Sequence, residues 1–367
     1  RFLQYLRSII MEIYLVGGAV RDELLGISNN KSVKDYVVVG SSPQEMKSLG
    51  YRQVGKNFPV FIDPDSSDEY ALARIESKVG IGYSGFEFDT SKSVTLEQDL
   101  YRRDLTINAI ARNLEGELID PYGGLEDIKT KTIRHVSDAF SEDPVRLLRV
   151  ARFASRFHKL GFNIAPETRK LMKQMVISGE VDALVPERVF KELSLALYSD
   201  KPSIFFDVLI ESGAYHRLFP MLTSTGSHIS QLVDASVEDL DVKFALWLHQ
   251  EKLEDISVLC THLKCPKDYQ QIAELVAEWH FFSKHLLSHS AEEVLSFYLK
   301  TDSLRRQRRF EKILIAFKEL GIDIKPISEI LVALKTINVS KLDKALIVEQ
   351  IAQKRLSVIG RFLNPTK

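Results

Sequence analysis

Residues 142–157 read EDPVRLLRVARFASRF, and the architecture of the chain turns on them. Asp143 followed by Pro144 reads as a helix N-cap and a first helical residue. Leu147, Leu148, Val150, Ala151 and Ala154 then recur at the spacing that gathers them on one side of a helix. Arg146, Arg149, Arg152 and Arg156 cover the other broad face with no acid between them. A surface helix usually mixes charge signs. A face of one sign is either a solvated basic face or one built to meet phosphates and base edges.

The texture of the sequence changes at this helix. Downstream, PETRKLMKQMV, PERVFKELSLALYS and SIFFDVLIESGAYHRLF keep the helical period, and strand signals become rare. Upstream, EIYLV, YVVVG, EYALAR and GELIDP are short β-type segments, with PQEMKSLG and LTINAIAR reading as helices between them. The expectation is an α/β head followed by an all-helical remainder.

The chain has 367 residues, 45% of them hydrophobic, enough for two or three domains with their own cores. A net charge of −1 provides no global basic field, so any nucleic-acid surface must be local. Cys260 and Cys265 are the two cysteines, and with His262 they read as packing residues; they supply neither a disulfide framework nor a four-ligand zinc site. No apolar run approaches the roughly 18 residues of a membrane span. Residues 1–10, RFLQYLRSII, lack a signal-peptide cleavage site, and Met11 stands directly before a clean strand. They read as a non-native or upstream leader, with Met11 as the natural start and a cytoplasmic protein without a membrane partner as the expectation.

Several positions carry candidate chemistry. Gly17 and Gly18 sit between the strand IYLV and the helix AVRDELLG, where backbone N–H groups can approach phosphate oxygens and Arg21 can add a charge-assisted contact. Most Gly-Gly pairs are ordinary turns. Asp35 stands at the mouth of the strand YVVVG; by itself it reads as a solvated strand end. Glu69 is another acid beside a strand. If those two strands are neighbours, Asp35 and Glu69 can share a Mg²⁺ ion, which takes hard oxygen ligands and leaves the rest to phosphates. LYRRDLTINAIA puts Arg102, Arg103 and Asp104 at an expected helix start, with Asp104 as N-cap and Arg103 either exposed or on a triphosphate. SLRRQRRFEK, residues 303–312, is a basic cluster on an expected helix. Arg305, Arg306, Arg308 and Arg309 there are either solvated or contacts to RNA phosphates.

In this order, LVGGAVRDELLG, RRDLTINAIA, IDPYGG, EDPVRLLRVARFASRF and PERVFKEL resemble the class II tRNA nucleotidyltransferases, the CCA-adding enzymes, in their bacterial form. The match runs from about Glu12 to Leu195. It implies an α/β polymerase-β-like nucleotidyltransferase head over residues 11–141, then an all-α neck over 142–200 and an all-α body and tail over 201–367. It implies template-independent addition of C, C and A to the 3′ end of tRNA from CTP and ATP. By motif, Gly18, Arg21 and Arg103 would contact the triphosphate. Asp143 and Arg146 would read the base, supported by Arg149 and Arg152. Cytosine and adenine each present an amino donor beside a ring-nitrogen acceptor, which an acid and an arginine can meet together. Uracil and guanine present the reverse polarity and would leave a charged group unpaired.

Sister activities are weighed on the same residues. Bacterial poly(A) polymerases tend to carry an Arg-Arg-Phe stretch where this chain has VGKNFPVF, residues 54–61. Enzymes that add only CC lack part of a loop that looks full length here at residues 76–100, with Gly80, Gly82 and Gly85. Longer relatives append a His-Asp phosphohydrolase domain, but His249 is followed by Gln250 and no His-Asp dipeptide occurs.

One position departs from the pattern. The family places Asp-x-Asp where this chain reads Val33-Lys34-Asp35. A gapless alignment gives Asp35 the second place and Val33 the first, and a shifted one makes Asp35 the first. Either way one acid remains. Two expectations stay open: binding persists while turnover falls by orders of magnitude, or Asp35 and Glu69 suffice. A tRNA-binding homologue that barely catalyses is the rival from another class.

Overall fold

The computed structural model describes residues 11–28, 33–55, 60–78, 86–223, 232–337 and 347–364. The leader at 1–10, the loop glycines 80, 82 and 85, and part of the 54–61 stretch lie outside them. The chain forms two compact units, residues 1–189 with 211–218, and residues 190–210 with 219–367.

The first unit is organised by a sheet of seven strands. Strand β1 (Glu12–Val16) leads into helix α1 (Gly18–Leu24) and strand β2 (Asp35–Val39). Helix α2 (Pro43–Ser48) follows, started by a capping box in which the Ser42 hydroxyl accepts from Glu45 N–H and the Glu45 carboxylate accepts from Ser42 N–H. Strands β3 (Arg52–Val54), β4 (Val60–Ile62) and β5 (Glu69–Leu72) come next, and the order across the sheet is β3-β4-β5-β2-β1. β2 runs antiparallel to β1 and parallel to β5. Strand alternation sends Val16 and Val37 into one core with Leu100 and Ala109, while Val38 and Leu72 enter another with Met46 and Phe61. A separate hairpin pairs β6 (Ile75–Lys78) with β7 (Phe86–Asp89).

The expected helix LTINAIAR is not one. The helix here is α3 (Leu96–Tyr101), capped by Thr95, so Arg102, Arg103 and Asp104 follow a helix end instead of opening a helix. Thr106–Asn108 form one 3₁₀ turn, and Ala111–Arg112 are strand β8, paired with Leu15 and Val16 and then with β9 (Leu118–Ile119). Two demands override the local helical period. The sheet claims Ala111 and Arg112, and the segment Gly124–Lys129, helix α4, packs against the turn so closely that a Cβ on Gly124 would lie 2.2 Å from the Thr106 carbonyl oxygen. Asp104 therefore caps no α-helix; its carboxylate accepts from Leu105 N–H and from Asn108 Nδ2, both at 2.9 Å.

The decisive helix is α5 (Val145–Phe157). The helix starts one residue later than the sequence puts it: Pro144, already helical at φ −62°, is the N-cap residue, and the Asp143 carboxylate just ahead of it accepts from Val145 N–H at 3.1 Å. Leu147, Leu148, Val150 and Ala151 are fully buried and Ala154 nearly so. Helix α6 (Pro166–Ile177) follows, and helix α7 (Pro186–Leu197) carries the PERVFKEL motif.

Helices dominate the second unit. Trp247 packs against Phe206, Phe219 and Phe244 with ring centroids 5.0, 5.1 and 5.5 Å away. In the basic cluster the helix starts later than expected, at Gln307. Asp302 turns the chain with φ 51°, and its carboxylate holds Arg305 and Arg306 in the turn ahead of the helix. Arg308 is exposed, whereas Arg309 is partly packed and donates to the Thr301 carbonyl at 2.8 Å and to Gln271 Oε1 at 3.1 Å.

Candidate active site

The strand ends and the polar face of α5 enclose a cavity of about 710 Å³ in the first unit. Nine arginines and five carboxylates line it, a local positive excess in a nearly neutral chain. It brings together Gly18, Arg21, Asp35, Glu69, Arg103, Asp143, Arg146, Arg149 and Arg152, with Gly17, Arg102, Asp104 and Arg156 beside them, whereas Val33 is not in its lining.

One wall of the cavity is built at the β1–α1 turn. Gly17 has φ 69°, and a Cβ there would sit 3.1 Å from Arg103 Nη1, so glycine is required both for the turn and for the approach of Arg103. Arg103 donates to Asp99 at 3.2 Å, and its buried Nε has no hydrogen-bond partner. Arg21 is only 3% exposed. It donates to Asn108 Oδ1, pairs with Asp22 at 2.7 Å and lies 4.9 Å from the Phe153 ring centre. Burial pushes its guanidinium down to about 10, with Asp22 pulling the other way.

Asp35 and Glu69 occupy partnered positions on the parallel strands β2 and β5, so both carboxylates leave the same face. Asp35 stands at an accessible strand end yet ringed by protein; desolvation pushes its carboxyl up, and Arg103 opposes that. A desolvated carboxylate beside a second one in register suits a hard divalent cation, completed by phosphate oxygens and water. Among the described residues no group of three or more His, Cys, Asp or Glu could hold a metal, so the fit is to a pair of acids. Cys260 is buried and Cys265 partly so. Val33 is exposed and lines an adjoining cavity instead.

Helix α5 supplies the opposite wall. Arg149 Nε donates to Asp104 at 2.7 Å. Burial opposes the charge on Asp104, but Arg149 and Asn108 hold its carboxyl far below the ordinary range. Arg146 donates to the carbonyls of Ala139 at 2.6 Å and Arg102 at 2.5 Å, which fixes its plane. Arg152 lies over the Phe153 ring at 4.1 Å.

Two features escape the sequence reading. Arg188, from α7, donates both terminal nitrogens to the Asp143 carboxylate at 3.2 and 3.1 Å. PERVFKEL was the available signal, though nothing local says that its arginine meets Asp143. Arg74 and Arg102 both donate to Glu76 Oε1, at 2.7 and 2.8 Å, and Arg74 lies over Phe88 at the root of the β6–β7 hairpin. The alternation of Arg74 and Glu76 along a strand end was its only trace.

Residues 13–134 match the model of the poly A polymerase head domain, and residues 161–225 match that of the "Probable RNA and SrmB- binding site of polymerase A". A CCA-adding enzyme of Coxiella burnetii is 46% identical, with 91% of this chain and 89% of that protein covered. A multifunctional CCA protein of Teredinibacter turnerae is 42% identical, with 93% of each covered. The fold is similar to that of the Thermotoga maritima CCA-adding enzyme complexed with tRNA, at 21% identity and a TM-score of 0.70 over 97% of this chain and 92% of that one. Among the described residues no helix is long and apolar enough to cross a membrane. With that likeness extending along nearly its whole length, the chain belongs to the family of CCA-adding enzymes, the tRNA nucleotidyltransferases.

Proposed function

We propose that the chain adds C, C and A to the 3′ end of tRNA from CTP and ATP, without a nucleic-acid template. The observation that carries this is one cavity with paired acids on β2 and β5 on one side and the Asp143–Arg146 pair of α5 on the other. The acceptor's 3′-oxygen forms a bond to the α-phosphorus, the bond to the bridging oxygen breaks, pyrophosphate leaves, and the hydroxyl proton passes to solvent. Arg21 and Arg103 hold the triphosphate. Asp143 accepts from the amino group of cytosine or adenine while Arg146 donates to the ring nitrogen, and Arg149 and Arg152 support the nucleotide. Uracil or guanine would leave a charged partner unmatched, at about 1–3 kcal/mol. The division into head, neck, and body and tail expected from the sequence is part of this reading.

Asp35 and Glu69 would hold the divalent cation, with Mg²⁺ the fitting choice for oxygen ligands. Such an ion supplies charge stabilisation to the phosphoryl oxygens and acidifies the attacking hydroxyl. Val33 removes one carboxylate from that neighbourhood, and we assign to it a turnover lowered by orders of magnitude with substrate binding kept. Arg305, Arg306 and Arg308 present the charge that tRNA phosphates need. A cytoplasmic setting follows from the tRNA substrate.

The test is to offer labelled CTP, ATP, UTP and GTP to tRNA lacking its CCA end. Two C additions followed by one A support the reading. ATP-only tailing would identify a poly(A) polymerase, and tRNA binding with no incorporation would identify a non-catalytic homologue.

A further inference from the structure

The arginines of α5 crowd around one aromatic ring. Arg21, Arg149 and Arg152 bring their guanidinium carbons to 4.9, 5.5 and 4.1 Å from the centre of the Phe153 ring. One turn on, Phe157 stacks beside Phe153 with ring centres 5.6 Å apart and planes 12° from parallel. Arg21 and Arg156 lie over that second ring, at 5.1 and 5.2 Å. We infer that Phe153 is a positioning residue for polyphosphate binding, an uncharged counterpart that gathers these guanidiniums without occupying their N–H groups. The inference rests on the reading that this cavity takes a nucleoside triphosphate.

Like charges brought this close repel, so the fold must hold them together before a ligand arrives. Carboxylates do part of this work. Asp22 serves both Arg21 and Arg156, at 2.7 and 2.8 Å, and Asp104 serves Arg149 at 2.7 Å. A carboxylate, however, accepts from the same in-plane N–H groups that a phosphate needs, so it competes with the ligand. An aromatic face attracts the cation through its quadrupole and takes up no N–H. A guanidinium lying on a ring therefore stays charged, ordered and able to donate.

Phe153 is well placed for that part. It lines the cavity, yet it is only 3% exposed, so water does little to weaken the attraction. Arg149 stands four residues before it on α5, and Arg21 reaches it from α1, so one ring ties the helix to the β1–α1 turn. The crowding has a measurable cost at Arg21, whose guanidinium is pulled down by burial first and by the charge of Arg156 as well.

A ring that merely filled the core would act through its volume, whereas one that gathers cations acts through its quadrupole. Ring fluorination separates the two, because it drains the aromatic face with little change in size. Phe153 is replaced in the full chain, by site-specific incorporation, with its 4-fluoro, 3,5-difluoro and 3,4,5-trifluoro analogues. Calorimetry reads the affinity for inorganic tripolyphosphate and for CTP, and thermal melts check folding. The expected result is a stepwise loss of tripolyphosphate affinity, about tenfold at the third fluorine, with Tm within about 2 °C of the parent. CTP affinity should fall in parallel. The same series at Phe61, in the core on the other side of the sheet, should change neither. Phe153→Leu, which keeps an apolar side chain and removes the ring, should lose at least as much as the trifluoro chain. Affinity for tripolyphosphate that stays flat across the series, falls only as Tm falls, or survives in folded Phe153→Leu overturns the proposal. A graded loss in a chain that binds tripolyphosphate but no CTP would leave the role of Phe153 standing and remove the nucleotide reading. CTP binding that is indifferent to the series would do the opposite, and a parent chain that binds neither anion would overturn both.

Discussion

At the scale of single residues, the cavity is a set of charges that hold one another in place before any substrate arrives. Asp104 is the clearest case, buried and bonded to Arg149 and Asn108. Its folded carboxyl lies below the unfolded value near 3.9, so its stabilising contribution is complete above that pH and is lost as pH falls through the folded value. Asp104→Asn should therefore lower stability at neutral pH by about 1–3 kcal/mol and flatten the acid side of the stability profile, as denaturant melts across pH would read. The lower end applies because the Arg149 side chain is 36% exposed and screened by water. Gly17→Ala meets both a positive φ and Arg103 Nη1 at 3.1 Å. It should cost about 1 kcal/mol of stability or more and weaken CTP binding, measured by calorimetry. Arg188 fixes the orientation of the Asp143 carboxylate. Arg188→Ala should reduce the preference for CTP over UTP by about tenfold in kcat/KM, and an unchanged preference would show Asp143 to be held by other means.

Elements explain which of these residues the sequence could announce. Helix α5 was legible because Leu147, Leu148, Val150, Ala151 and Ala154 and its arginines obey one period over its whole length, and those five are buried. The β2–β5 pairing was legible only as a condition, since register depends on neighbours that no single strand names; it places Asp35 opposite Glu69. LTINAIAR misled because a short helical period is weaker than a sheet edge that needs a partner and a glycine that packs on a turn. Arg188 and the Arg74–Glu76–Arg102 group stayed hidden because their partners come from distant segments. The basic cluster also changes meaning at this scale. Arg309 packs into its unit, so reversing Arg305 and Arg308 tests RNA contact more cleanly. That pair of substitutions should weaken tRNA binding and lower its salt slope by about two, leaving CTP binding intact. An unchanged salt slope would mark the cluster as merely solvated.

For the molecule as a whole, a chain of net charge −1 concentrates positive charge in the first unit's cavity and in an exposed cluster of the second. On the proposed reading nucleotide chemistry and RNA grip have separate seats, and neither needs a basic protein. On the same reading Val33 lowers turnover and leaves nucleotide binding in place. The most direct measurement is single-turnover incorporation of labelled CMP into tRNA lacking its CCA end, at one Mg²⁺ concentration, by this chain and by Val33→Asp. The account predicts a slow parent and a variant faster by about a hundredfold or more, with CTP affinity unchanged. Equal rates in the two proteins would contradict it, and would mean that Asp35 and Glu69 suffice.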